Sequence, residues 1–347
     1  MMKRFFKPAE IVFVLLNLTI LAAIIAYVNI STPVSSYDNW QQIEIPEGSS
    51  YIQGLNILQR EGIIKNKGVL LLLGRLTAID RRLRAGYYNF NTSMSPLDIF
   101  KKLSDGDIIE HTITIPEGSD LNDIRSAFAK TGLFNDQSWQ LVYDKEFINS
   151  IGIKAPSLEG YLFPDTYNFT KGANPKDILK IMHDRLKEKY DNSLRTRAAE
   201  ISMSENEVLT LASIIEREAR IDSERAVISA VYHNRLKIDM KLQADPTVNY
   251  GTERAGDMTK IVDLKNVTPY NTYVIKGLPP GPIASPGIKS IKAALYPADV
   301  AYLFFVSKND GTHYFSKTGE EHVEAVALYR KTQAKTTDEE TGKETQN

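Results

Sequence analysis

A chain of 347 residues with 42% hydrophobic and 24% charged side chains has the makeup of an ordinary folded protein with room for two or three modules. Its net charge of -1 argues against a nucleic-acid binder that works by neutralising phosphates. The chain has no cysteine, which excludes disulfides and thiolate metal sites but leaves the compartment open, because a core of this size needs no staples.

The amino terminus speaks to the compartment. Ile11 to Ile30 is 20 residues without a charge, broken only by Asn17, Thr19 and Asn29 among polar side chains. At about 1.5 Å per residue a helix of that length spans one hydrocarbon core. Lys3, Arg4 and Lys7 precede the run and no basic cluster follows it. The positive-inside rule then puts residues 1–10 in the cytoplasm and everything after about Ser31 outside. A cleaved signal peptide is the plain alternative, but its apolar region is shorter, about 7–15 residues, and ends at a small-x-small site. The run is therefore read as an uncleaved, single-pass anchor in the cytoplasmic (inner) membrane, followed by a polar linker over 31–41 that carries Pro33.

A repeat comes next. Residues 43–49 (IEIPEGS) return at 113–119 (ITIPEGS), and the register persists from Leu58 to Phe128 and from Gly62 to Gly132. Each copy reads as a short alternating strand, a Pro-Glu-Gly turn and a helix. Gly86-Tyr87 and Gly160-Tyr161 close the two copies, each leading to an aromatic strand, so each copy is a small β-α-α-β unit. Proline and glycine have direct backbone reasons to stand in such a turn, and the Pro-Glu-Gly loops are taken as structural. The second copy ends in residues 158–167 (LEGYLFPDTY), where Glu159 and Asp165 lie among aromatics. That mixture suits a carbohydrate groove and equally suits a packed strand and turn.

Beyond the repeats the spacing predicts helices over 175–190, from about Glu205, over about 223–236, over 290–296 and over 322–331. A hairpin is expected from 302–307 and 312–315, and a disordered tail over 332–347. Two loops interrupt this series: residues 241–251 (KLQADPTVNYG), dense in ligand-capable side chains, and residues 277–287 (GLPPGPIASPG), rigid and irregular.

The helix from Glu205 draws attention. Ser204 and Glu207 form a capping-box signature, and Val208, Leu211, Ala212, Ile215 and Ala219 recur at helical spacing. Glu216 and Glu218 sit near its end, Glu216 on the edge of the apolar face. A carboxyl against apolar neighbours is a candidate general acid. Periodicity alone also allows two helix-end charges paired with Arg217 and Arg220. The five histidines have no metal-ligand spacing, so no metal and no cofactor is expected. His313, alone in a hairpin strand with no nucleophile beside it, is taken as structural. Carboxylates in a groove rich in tyrosine, asparagine and threonine point to glycoside cleavage.

Residues 209–219 (LTLASIIEREA), 234–236 (NRL), 242–248 (LQADPTV), 270–273 (YNTY) and 277–281 (GLPPG) occur in this order. Together they resemble the endolytic murein transglycosylases of the MltG (YceG-like) family over essentially the whole chain. The resemblance implies an α+β chain: a single transmembrane helix (11–30), a LysM-like β-α-α-β module (42–107), and a mixed α+β catalytic domain (108–331) that includes the second repeat (108–170). It implies endolytic cleavage of the MurNAc-β-1,4-GlcNAc bond in nascent peptidoglycan, leaving 1,6-anhydro-MurNAc ends. The family's catalytic glutamate falls on Glu216, which would protonate the leaving oxygen and then take the proton of the 6-hydroxyl of the same sugar. Gln243, Asp245, Thr247, Tyr270, Asn271 and Thr272 are expected along the glycan groove. Glu218 is counted with them, orienting a neighbour or pairing with an arginine. The partners implied are glycan strands, peptidoglycan synthases and the membrane, with no nucleic acid. A hydrolytic muramidase and a non-catalytic glycan-binding scaffold are the rival readings.

Overall fold

The computed structural model describes residues 8–77, 79, 83–252, 259–308 and 310–328; the segment before residue 8 and the tail over 332–347 lie outside the described residues. The chain divides into two compact units, one of Met1–Thr112 with Asn168–Ala173, the other of Ile113–Tyr167 with Asn174–Asn347.

The first unit opens with α1 (Pro8–Ser31), whose residues Ala9–Ser31 are long and apolar enough to cross a bilayer, with a mean hydropathy of 2.7. Its few polar side chains fold back onto the helix. Asn17 donates to the Phe13 carbonyl, Thr19 to Leu16 and Asn29 to Ile25, each at 2.8 Å. That is how polar groups are satisfied where no water is at hand. Next, β1 (Trp40–Ile45) pairs antiparallel with β2 (Gly86–Asn91), in a register running from Trp40 opposite Asn91 to Ile45 opposite Gly86. Alternation turns Ile43, Ile45, Tyr88 and Phe90 inward. Between the strands lie α2 (Tyr51–Arg60), started by a Ser50/Gln53 capping box, and α3 (Gly68–Thr77). Leu55, Leu58 and Leu70 are completely buried against the sheet, each burial contributing roughly 1.5–3 kcal/mol. A further helix, α4 (Pro96–Asp105), adds Ile99 and Leu103 to the same core.

The second copy of the repeat keeps the paired strands, β3 (Glu110–Thr114) and β4 (Thr166–Thr170), which the chain uses to pass between the units. Its helical part differs from the first. Besides α5 (Leu121–Phe128) it has α6 (Asp136–Trp139), a 3-10 turn over Gln140–Tyr143, and α7 (Lys145–Ser150). Asp144 causes the break: its carboxylate accepts from the Glu146 and Phe147 amides and so starts a new helix.

The rest of the second unit is a helical cluster of α8 (Pro175–Lys189), α9 (Asn192–Glu200), α10 (Glu205–Glu218), α11 (Arg225–Lys237) and α12 (Ile288–Leu295). Helix α10 is its axis, packed against α9, α11 and α12. The expected Ser204/Glu207 capping box is formed. One buried face was expected, yet every residue from Val208 to Ile215 is buried. Two polar residues tolerate this because Thr210 donates to the Asn206 carbonyl at 2.6 Å and Ser213 to Thr210 at 2.7 Å. A hairpin of β5 (Phe304–Ser307) and β6 (His313–Ser316) sets Phe305 edge-on to Tyr232 of α11, ring centres 5.9 Å apart. Residues 319–328 are helical.

Candidate active site

The last turn of α10 presents two carboxylates, and everything else in the site follows from where they point. Residues two apart on a helix leave it about 200° apart, so Glu216 and Glu218 enter different surroundings.

Glu216 enters a closed ionic cluster. Its Oε1 accepts from Arg225 at 2.9 Å and its Oε2 from the Gly287 amide at 2.9 Å. The side chains of Glu216 and Arg225 are only 5% and 11% exposed. Arg225 also bonds Asp222 at 3.0 Å and Ser290 at 2.5 Å. Glu117, from the second Pro-Glu-Gly loop, lies directly over Gly287: a Cβ there would come within 1.9 Å of the Glu117 carboxylate. A side chain at 287 would therefore have to displace the Glu117 carboxylate from its place over the cluster. Gly118, at φ +79°, closes over the Glu216 side chain, and its amide donates to the Ser285 carbonyl at 2.8 Å. Burial and the Glu216 charge together raise the Glu117 pKa. The Pro-Glu-Gly loop is thus more than a turn, since its glutamate covers the cluster around Glu216. Both Glu216 oxygens are engaged by donors, which equips the carboxylate to accept and hold in place.

Glu218 enters an open polar cavity of about 300 Å³, lined also by Arg235, Gln243, Asp245, Tyr273, Val306, Ser307 and His313. Burial pushes its pKa up to about 7, and the Asp245 carboxylate adds to the rise. A bond from Tyr232, the Arg235 charge and the Asp245 backbone amide offset part of it. The Tyr232 hydroxyl donates to Glu218 Oε1 at 3.1 Å. Arg235 contributes little direct pairing because its guanidinium is taken up by the Leu303 carbonyl at 2.6 Å and the Leu242 carbonyl at 2.5 Å. A carboxyl poised near neutrality on the wall of an accessible pocket can give up a proton and take one back.

Two loops build the opposite wall. Gln243 holds a left-handed backbone, φ +48°, a conformation costing a non-glycine residue about 1–2 kcal/mol. Its amide is anchored to the Thr272 carbonyl at 3.2 Å. Asp245 accepts from the Tyr273 hydroxyl at 2.6 Å. Three residues expected along the groove have another task. Thr247, Asn271 and Thr272 are completely buried. The two threonine hydroxyls meet at 2.9 Å, Thr272 accepts from the Ala244 amide, and Asn271 donates to the Leu264 and Asn266 carbonyls. They tie the 241–251 loop to the 264–273 loop and so support Gln243 and Asp245; short polar side chains in loops bond nearby backbone more readily than ligand. Tyr270 packs against Tyr250 with ring centres 4.6 Å apart and planes tilted by 55°, and does not line the cavity.

The remaining acidic candidates resolve as follows. Glu159 is buried, with Oε2 accepting from the Leu121 amide at 3.2 Å and from Tyr250 at 3.0 Å, and burial pushes it up to about 7. Burial pushes the Asp165 pKa up, but its bond from Arg185 at 2.7 Å, the Thr166 amide and the Arg185 and Lys189 charges together lower it. Of the residues that complete the cavity, Arg235 and Tyr273 stood within short motifs noted in the sequence. Phe305, Val306, Ser307 and His313 come from a hairpin whose alternation gave no sign of a site.

The chain matches the model of the YceG-like family over residues 43–328. An endolytic murein transglycosylase of Bacillus subtilis (strain 168) is 35% identical over 305 residues, 83% of this chain and 84% of that protein. A second endolytic murein transglycosylase, from Streptococcus pneumoniae serotype 2 (strain D39), is 29% identical over 82% of this chain, which spans 57% of the pneumococcal protein. The crystal structure of a YceG-like protein of Listeria monocytogenes superposes with a TM-score of 0.57 at 34% identity, covering 83% of this chain and 99% of that one. With a match over most of its length and a relative at this identity, the chain belongs to the YceG-like family.

Proposed function

We propose that the protein is a membrane-anchored lytic transglycosylase that cuts within peptidoglycan strands, with Glu218, and not Glu216, as its acid. The observation that carries this reading is a carboxyl pushed to about 7 on the wall of a polar cavity. Glu216, the residue expected from the motif, is bonded at both oxygens to Arg225 and Gly287 and has no opening onto that cavity. In the proposed reaction the protonated Glu218 gives its proton to the oxygen leaving from the β-1,4 bond between MurNAc and GlcNAc. The 6-hydroxyl of the same muramoyl residue attacks C1, closing a 1,6-anhydro ring without water. An internal nucleophile works at a high effective concentration, which lets one carboxyl suffice where hydrolases use two. Gln243, Asp245 and Tyr273 line the cavity as hydrogen-bonding partners for sugar hydroxyls.

The first unit fits a supporting role, its β-α-α-β core serving as a LysM-like module that orients glycan. Helix α1 would anchor the protein in the cytoplasmic membrane with the amino terminus inside, supported by the length of Ala9–Ser31 and by Lys3, Arg4 and Lys7 before it. Work on nascent strands beside the peptidoglycan synthases follows from that placement. The test is mass analysis of the products of uncrosslinked glycan strands. Anhydro ends are expected from the wild type and none from Glu218→Gln. Reducing ends would move the assignment to hydrolysis, with Asp245 as the second carboxylate, and binding without cleavage would leave only a scaffold.

A further inference from the structure

His313 opens β6 immediately after the hairpin turn, opposite Ser307. Glu224 grips it twice: the carboxylate accepts from the His313 backbone amide at 3.0 Å and faces Nδ1 at 2.6 Å. Because an ionised carboxylate only accepts, this contact puts the proton of the neutral imidazole on Nδ1 and leaves Nε2 as the lone-pair nitrogen. The ring plane is held by Phe305, edge-on at 5.3 Å, and by Phe315 at 6.1 Å. Nε2 has no partner among the described residues, yet it is not sealed inside the protein; the ring lines the same cavity as Glu218. The geometry fits the purpose. Glu224 lies in the 3-10 turn Asp222–Glu224 that follows α10, so one short connection positions both the carboxyl at the end of α10 and the imidazole across the cavity.

We propose that His313 is a further catalytic residue of this site, whose Nε2 accepts the proton of the hydroxyl that attacks the anomeric carbon. The proposal rests on the transglycosylase reading given above. The C1–O4 bond breaks and Glu218 supplies the proton to O4. The O6–C1 bond forms, and the proton of the 6-hydroxyl passes to Nε2, giving an imidazolium beside the Glu224 carboxylate. Handing that proton back to Glu218 through solvent restores both groups, so no water or co-reactant is consumed. A carboxylate behind the histidine fixes its tautomer and stabilises the charge that forms. The charged and titratable groups around the ring are Glu224 on one side and, across the cavity, Glu218, Arg235, Asp245 and Tyr273.

The experiment is the pH dependence of kcat/KM for the detergent-solubilised full chain on uncrosslinked glycan strands, read as anhydro ends. A base and an acid acting together give a bell, with the low-pH limb from His313 and the high-pH limb from Glu218. His313→Gln is expected to lose 10²–10³-fold in kcat with KM little changed, and to lose the low-pH limb while keeping the other. A bell that keeps both limbs at reduced height would mean a structural role and would overturn the proposal. Glu224→Gln, which keeps an acceptor at Nδ1, provides the second arm should His313→Gln fail to fold. Removing its charge disfavours imidazolium, so the low-pH limb moves to lower pH and kcat falls about 10-fold; an unmoved limb overturns the proposal as well. Should Glu218→Gln itself retain activity, the reading of the whole site fails, a result separate from either histidine arm.

Discussion

Two regions on opposite sides of the last turn of α10 differ in what they do with a carboxylate. Around Glu216 every acceptor has a donor: a guanidinium, a backbone amide and a glycine that lets Glu117 lie across the top. Around Glu218 the neighbours are a phenol, an arginine already bonded to carbonyls, and open space. Pairing with a cation favours the charged form, whereas burial without one favours the proton. Two residues of the same type, two positions apart, thereby sit in opposite surroundings, and the proposed division of labour, one holding loops together and the other exchanging a proton, rests on that difference.

The strongest way to break this comparison is to exchange the two losses. Glu218→Gln should lower kcat by 10²–10⁴-fold, the usual contribution of a general acid. It should also make the protein more stable at pH 8 and leave stability unchanged at pH 4. The sign follows from linkage: a folded-state pKa near 7 against an ordinary value of 4.5 means the folded protein binds more protons between those limits. Stability from this group therefore falls as pH rises through that window, and the glutamine variant escapes the loss. Glu216→Gln should do the reverse, retaining anhydro product while lowering Tm. If Glu216→Gln abolishes product at an unchanged Tm, the roles are the other way round.

Next in size is Arg225→Ala. With both side chains nearly buried, removing the cation leaves Glu216 uncompensated, a loss of about 3–5 kcal/mol in buried pairs. For a unit of this size each kcal/mol lowers Tm by about 2–4 °C, so calorimetry should find a drop of at least about 6 °C. Arg235 offers the contrast, since its guanidinium serves carbonyls, and its loss should loosen the Gln243 loop before it alters Glu216.

The elements of this site were unequally legible in the sequence. The start of α10 was plain because Ser204 and Glu207 satisfy each other's donors locally, and the β1–β2 pairing because two copies of Pro-Glu-Gly marked the same strand-to-helix turn. The family motif pointed to the last turn of α10, where both glutamates lie. The choice between Glu216 and Glu218 was hidden because it depends on Arg225 from α11 and Gly287 before α12, both brought in by tertiary packing. Thr247, Asn271 and Thr272 read as groove residues because hydroxyls and amides that bond loops have the same composition as those that bond sugars. His313 read as structural because the group that gives it a role, Glu224, lies 89 residues away.

Glu159 separates the effect of burial from that of access. It is pushed to about 7 just as Glu218 is, but it faces Leu121 and Tyr250 and does not line the cavity. Glu159→Gln should therefore change the pH dependence of stability with the same sign, a gain that grows from pH 4.5 to 7 and stays above it, on the order of 3 kcal/mol. Activity at pH 6 should fall by less than about 3-fold, under 1 kcal/mol of barrier. A large loss of kcat would mean that a raised carboxyl pKa, and not an open cavity, is what marks the acid in this protein.

The smallest effect tests the setting of Glu218 itself. Tyr232 donates to Glu218 Oε1 at 3.1 Å, a bond that steadies the carboxylate and holds its pKa below what burial alone would produce. Tyr232→Phe keeps the ring edge-on to Phe305 and removes only the hydroxyl. The charged form of Glu218 then loses a donor, so the proton is held more tightly and the high-pH limb of kcat/KM should move upward by about 0.3–1 pH unit, a bond energy near 1 kcal/mol. Below that limb the rate should be almost unchanged, because the protonated acid is already the populated form. Glu216 has no bond to Tyr232, and a limb belonging to it would stay where it is. The direction in which this limb moves thus decides between the two glutamates without removing either one.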